Sequence, residues 1–305
     1  MPTFSFLTTD VFTSTPFGGN QLAVFADARG IPERAMQPIA REFNFSETTF
    51  VLPPSDPRHT RAVRIFTPGG ELQFAGHPTV GTAFALAWLG LVPLREGETA
   101  IVLEEGVGPV PVSIRSKDGK TPDFATLSVA QLPQVGPQPP GIPALARALG
   151  LDPGDLLSGE QSPQGLSCGT PFLFVPVRDR AALGRCRVRA DEFEAVMGKY
   201  WTKEVFVFCD DPELQGSTHR ARMFAPLIGV AEDPATGSAC AAFGGYLANR
   251  DARRDGTLRW VIEQGFEMGR PSIMELQVDK KAGQLTGVRV GGNSVLITRG
   301  ELTLY

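Results

Sequence analysis

Three short stretches carry residues able to do proton chemistry. Ser46-Glu47-Thr48 sets one carboxyl group between two hydroxyls. Ala75-Gly76-His77-Pro78-Thr79 and Glu232-Asp233-Pro234-Ala235-Thr236-Gly237-Ser238 place small and polar residues at what read as two helix starts. A carboxyl group free in water is a weak base at neutral pH, with a pKa near ~4.3. Burial raises it toward the range useful for acid/base work. Phe45 and Phe50 flank Glu47 and are expected to supply apolar surroundings for it. One such group can take a proton from one carbon of a conjugated system and return it to another on the same face. That is an allylic isomerisation. Inverting a stereocentre instead needs an acid and a base on opposite faces. On local sequence alone, an exposed loop glutamate is the plainer reading of Glu47.

The two helix starts follow from their helices. Residues 77–89 have Pro78 in the first turn and Gly90 after the end, the usual helix punctuation. The spacing predicts a second helix over 236–249. Both are apolar nearly all round, and a helix apolar on every face is a buried one. The first N–H groups of a buried helix lack intrahelical partners, and the macrodipole leaves partial positive charge there. An anionic ligand answers both needs, and glycine lets it approach the backbone closely. Asp233 is also readable as a simple cap. That does not account for Gly76, His77, Gly237 and Ser238 together. His77, one of three histidines, is open to a structural or a catalytic role. His59 and His219, in polar loop contexts beside Arg58 and Arg220, are given no role.

Around these starts the chain alternates strands and helices. Strands are expected at 4–12, 21–26, 48–52, 62–66, 124–129, 169–177 and 205–209, and helices at 33–42 and 191–197. A Pro- and Gly-rich passage covers 131–143. Residues 288–305 read as two final strands around Gly291-Gly292-Asn293. An internal repeat is visible. Arg64-Ile-Phe-Thr-Pro68 returns as Arg222-Met-Phe-Ala-Pro226, each before a Pro-bearing helix start. Gly19-Asn20-Gln21-Leu22 resembles Gly169-Thr170-Pro171-Phe172, and Glu47 lines up with Glu204. Chance could supply one such match; three in order point to duplication. The expected domains are 1–120, joined by 288–305, and 121–287.

With 305 residues, 42% hydrophobic and 20% charged, the chain has ordinary globular composition and room for two domains. A net charge of -4 argues against nucleic acid as a partner. Cys168, Cys186, Cys209 and Cys240 form no C-x-x-C pair, which favours isolated reduced thiols over disulfides or a metal site. No leader peptide or spanning segment is visible, so a cytoplasmic protein without membrane partners is expected.

Gly18-Gly-Asn-Gln-Leu-Ala-Val24, Ser46-Glu47-Thr48, Gly76-His77-Pro78-Thr79 and Glu232–Ala239 together resemble the PhzF, or phenazine biosynthesis-like, family. Gln264-Gly265, Met268-Gly-Arg-Pro-Ser272 and Arg299-Gly-Glu-Leu302 fit as well, so the resemblance runs from about residue 10 to the C-terminus. It implies an α/β (α+β) fold of the diaminopimelate-epimerase type. In that fold two similar domains each wrap a curved, mostly antiparallel sheet around a central buried helix, with the active site in the cleft between them. It implies a homodimer that uses no metal and no organic cofactor. The family's best-known activity isomerises trans-2,3-dihydro-3-hydroxyanthranilate, a small carboxylated substrate. By position, Glu47 matches the catalytic glutamate. Asn20, Gly76, His77, Asp233, Gly237 and Ser238 match substrate-contacting positions.

Related epimerases and racemases use two thiols, and here Ala75 and Asp233-Pro234-Ala235 stand at the two starts instead. Cys240 lies a turn further on and is expected to pack as a small core residue. The expected activity is therefore a single-glutamate isomerase. The alternatives are an epimerase or racemase using Glu47 and Asp233 as opposed carboxyls, or a non-catalytic binder of small carboxylates.

Overall fold

A computed structural model describes residues 1–304; Tyr305, the last residue of the expected 288–305 segment, lies outside the described residues. The chain forms two compact units, Met1–Ala130 together with the chain from Val290 onward, and Gln131–Arg289.

The first unit begins with β1 (Thr3–Val11), β2 (Asn20–Phe25), α1 (Glu33–Phe43), β3 (Glu47–Leu52), β4 (Arg61–Phe66), β5 (Glu71–Leu72) and α2 (Gly76–Trp88). It continues with β6 (Gly97–Glu105), β7 (Gly108–Ser116) and β8 (Phe124–Ser128). Because β8 pairs with β7, the division between units falls at Ala130 and not at residue 120. The second unit holds β9 (Gln134–Val135), α3 (Ile142–Leu149), β10 (Gln164–Ser167), β11 (Pro171–Pro176), α4 (Arg180–Arg185) and α5 (Ala190–Met197). Then come β12 (Val205–Cys209), β13 (His219–Ala225), β14 (Val230–Asp233), α6 (Gly237–Arg250), β15 (Gly256–Gln264), β16 (Ser272–Lys281) and β17 (Gln284–Gly292). Finally β18 (Ser294–Thr303) returns to pair with β1.

The fold is mixed α/β, rich in sheet, with mostly antiparallel pairing. The parallel pairs β2–β3 and β4–β6 in the first unit are matched by β11–β12 and β13–β15 in the second. In each unit a helix lies against the sheet. α2 packs on β1, β2, β3, β7 and β8, and α6 packs on β10, β11 and β16. Every residue of α2 from Gly76 to Ala87 is buried. Gly81 permits this: a Cβ there would lie 2.6 Å from Leu22 Cδ2 and from Val11 Cγ2. α6 has no solvent face along most of its length; Phe243 stacks on Phe174, Tyr246 packs against Phe174 at a tilt, and both meet Phe208 edge-on. α1 closes the other face of the first sheet, where Met36 and Ile39 pack with Phe25, Phe50 and Phe66.

The internal repeat holds residue by residue. Phe50 pairs with Arg64, and Val207 with Arg222. Arg64 Nε then meets Glu71 at 2.7 Å, as Arg222 Nε meets Glu232 at 2.8 Å. Each arginine also covers the ring two residues on, Phe66 or Phe224. Pro78 lies within α2, whereas Pro234 lies in the loop before α6.

Candidate active site

Glu47 opens β3, and strand alternation decides where its carboxyl goes. Thr49, two residues on, has its Oγ1 2.9 Å from Thr82 Oγ1 on α2. Glu47 therefore also faces α2, and its Oε2 lies 3.2 Å from His77 Nε2. Phe50 belongs to the opposite face, buried among Phe25, Phe66 and the α1 side chains. The expectation that Phe50 would line Glu47 is thus corrected: odd and even strand positions cannot share a face. Phe45 packs on Phe43, ring centroids 5.9 Å apart.

His77 is the second residue of α2, and its side chain is only 5% exposed against 14% for Glu47. Its Nδ1 lies 3.2 Å from the amide Nδ2 of Asn20, the first residue of β2. The structure thus brings Asn20, Gly76, His77 and Glu47 together at the start of α2. Burial pushes the His77 imidazole down to about 3, with a backbone hydrogen bond at Gln21 opposing the shift. His77 is therefore neutral, and its contact with Glu47 is not an ion pair. The 3.2 Å approach lacks hydrogen-bond alignment. Such contacts often tighten only with substrate bound.

In the second unit Asp233 ends β14, and α6 begins at Gly237-Ser238. Asp233 is not the cap of α6; Thr236 holds that place. The Thr236 hydroxyl donates to Asp233 Oδ2 at 2.5 Å. Gln264 braces the loop: its Nε2 donates to Asp233 O at 2.7 Å and to Thr236 Oγ1 at 3.0 Å, and its Oε1 accepts from Thr236 N at 3.2 Å. Ser272 Oγ donates to Pro234 O at 2.8 Å. The Gln264–Ser272 motif seen in the sequence therefore serves to hold residues 233–236. Ser238 is partly exposed within an otherwise buried run.

Glu204, noted in the sequence only as the repeat partner of Glu47, is a titrating group of this unit. Burial, and then the negative charge of Asp233, push its carboxyl up to about 7. Cys240 is fully buried in α6, and burial raises its thiol well above the ordinary value. All four cysteines are buried and free. His59 Nδ1 contacts Glu104 at 3.0 Å. His219 is not in a loop; it opens β13 and packs on Phe208 and Phe243. A surface cavity of about 760 Å³, lined by β1 and β18 residues with Arg29 and Leu89, includes none of the site residues. Among the described residues, no helix is long and apolar enough to cross a membrane.

The sequence profile of the phenazine biosynthesis-like protein family matches residues 9–300. An uncharacterised isomerase from Mesorhizobium japonicum is 41% identical, covering 99% of each chain. The trans-2,3-dihydro-3-hydroxyanthranilate isomerase of Pseudomonas fluorescens is 34% identical over 97% of this chain and 98% of its own. Among solved structures, a phenazine biosynthesis protein of the PhzF family from Bacillus anthracis covers 100% of both chains with a TM-score of 0.89 at 28% identity. A hydroxyproline epimerase from Agrobacterium vitis shares the fold, with a TM-score of 0.67 at 15% identity over 98% of this chain and 92% of its own.

Proposed function

This chain belongs to the phenazine biosynthesis-like, or PhzF, family and is an isomerase, and we propose that it moves a proton within a small carboxylated, cyclic or unsaturated metabolite using Glu47 as the single acid/base group. The observation that carries the reading is the Glu47 carboxyl 3.2 Å from a buried, neutral His77 at the start of α2. A neutral imidazole adds no positive charge beside the Glu47 carboxyl. Its nitrogens can hydrogen-bond a substrate hydroxyl or amine, or relay a proton. The amide of Gly76 binds the substrate carboxylate in this reading. Asp233, Gly237, Ser238 and Asn20 are assigned substrate contacts from their family positions. No thiol stands at either helix start, which supports same-face transfer over two-thiol inversion.

The compound named for the Pseudomonas relatives is the first substrate to try. Turnover in D₂O is expected to place solvent deuterium at the newly protonated carbon. Glu47→Gln is expected to lower the rate by roughly 10²–10⁴-fold, the usual contribution of a general acid/base. Deuterium uptake at an unchanged rate in that variant would exclude Glu47. Inversion of an amino or hydroxy acid, lost equally in Glu47 and Asp233 variants, would replace this reading with an epimerase. A homodimer is the assembly proposed from the family, and sedimentation at several concentrations tests it.

A further inference from the structure

Beneath the start of α2 lies a carboxyl group that the proposed chemistry does not use. Glu105 is the last residue of β6, and it is only 6% exposed. Its Oε1 is 2.7 Å from the hydroxyl of Thr79, and its Oε2 is buried with no hydrogen-bond partner among the described residues. The Thr79 hydroxyl is also 2.7 Å from Ala75 O.

A hydroxyl has one proton. Ala75 O can only accept, so a Thr79 hydroxyl that donates to it has no proton left for Glu105. Two acceptors at 2.7 Å would then face each other unless Glu105 itself carries the proton. A neutral acid also accounts for Oε2. A buried carboxylate oxygen without a donor is far more costly than a buried carbonyl oxygen. Burial pushes the Glu105 carboxyl up to about 8, with only the Thr79 hydrogen bond opposing.

The second unit carries a permanently neutral side chain at the matching position. Arg61 pairs with Leu103 and Ala62 with Glu104, so the next step of the ladder sets Glu105 beside Val63. In the second unit the equivalent step sets Gln264 beside Ala221. Val63 and Ala221 immediately precede the repeat partners Arg64 and Arg222. Gln264 donates from Nε2 to the hydroxyl of Thr236 at the start of α6. Glu105 and Gln264 therefore occupy one position of the repeat, and each meets a threonine hydroxyl at its helix start.

We infer that Glu105 is a positioning residue, a neutral acid that donates to Thr79, which donates to Ala75 O and so strengthens the Gly76 N–H as a donor to the substrate carboxylate. Ala75 C=O and Gly76 N–H belong to one peptide unit. A hydrogen bond to the oxygen polarises that unit and makes the N–H a better donor, and chained bonds reinforce one another. The inference rests on the reading of the α2 start as a carboxylate site.

The test uses the full chain, with benzoate as the probe carboxylate. Carbon-13 NMR of Glu-labelled protein at pH 7 should show, beside the partly protonated Glu204, a protonated carboxyl carbon that disappears in Glu105→Gln. A parent spectrum that loses no protonated carboxyl signal on that substitution overturns the inference, and this arm needs no other variant. Glu105→Gln keeps a neutral donor and should leave the Gly76 amide shift and benzoate affinity within twofold of the parent. Thr79→Val breaks the relay and should move the Gly76 amide upfield and weaken benzoate at least threefold. An unmoved Gly76 amide in folded Thr79→Val overturns the relay. Should that variant not fold, Thr79→Ser replaces it and must retain the parent amide shift; a loss there overturns the relay. If the carboxyl and amide results hold while benzoate leaves Gly76 unmoved in the parent, the carboxylate reading of the α2 start has failed and with it the role assigned to Glu105.

Discussion

Glu47 and Glu204 occupy the same position in their two units. Ala23 pairs with Thr48 immediately after Glu47, and Leu173 pairs with Val205 immediately after Glu204. Three residues beyond each glutamate comes the strand residue that faces the repeated arginine. Their surroundings have diverged. Glu47 faces a neutral histidine, whereas Glu204 senses the charge of Asp233.

For Glu204 this predicts a pH-dependent stability. Its carboxyl is raised from 4.5 to about 7 in the folded chain. The stability linked to its neutral form is fully present below the unfolded value. It is lost as pH rises through the folded one. Glu204→Gln should therefore gain on the parent between pH 5 and 8, by at most ~3 kcal/mol. Urea unfolding at the two pH values measures the difference, and a constant gap would count against the shift.

The histidines should act in the opposite direction. Burial lowers His77 from 6.5 to about 3 and His219 to about 4. Both contribute stability above the unfolded value, and that stability falls as pH drops from 6.5 toward these values. The His77 ring resonances should stay fixed in NMR titrations from pH 8 to pH 5. Movement in that range would show a charged His77 and restore an ion pair with Glu47.

Gly265 and Gly90 separate two reasons for glycine. Both have positive φ, +80° and +72°. A Cβ at Gly90 meets nothing within 4 Å, so Gly90→Ala should cost about 1 kcal/mol from conformation alone. A Cβ at Gly265 would come 2.5 Å from Pro234 O and against Arg270 O. Gly265→Ala should cost roughly 3 kcal/mol or more, with the carbonyl clash added to the strain. It should also disturb the 233–237 backbone, visible as amide shifts there. Equal costs in thermal unfolding would contradict the packing.

Arg222 and Arg64 share a repeat position but not an environment. Arg222 is 5% exposed; it pairs with Glu232 and donates to Leu183 O and Cys186 O at 3.1 and 3.0 Å. Removing it strands a carboxylate and two carbonyls, so Arg222→Ala should cost about 3–5 kcal/mol. Arg64 is 27% exposed and its partner Glu71 35%, so Arg64→Ala should cost about 1 kcal/mol or less. Denaturant midpoints of the two variants provide the comparison.

The two repeated halves, the two buried helices and the glycine-marked helix starts are legible in the amino-acid order alone. These are local or periodic features: an all-apolar helix must be buried whatever covers it, and a repeated motif keeps its spacing in any fold. Glu47 stands out through the motifs around it. What such groups are depends on the packed fold. The face taken by Glu47 depends on where β3 begins, and that placed Phe50 on the far side. The neutrality of His77, the raised carboxyl of Glu204 and the proton assigned to Glu105 depend on desolvation by side chains distant in sequence. Thr79 is 26 residues from Glu105. No window of neighbouring residues encodes that burial, because the free energy of a charge is set by the whole shell packed around it.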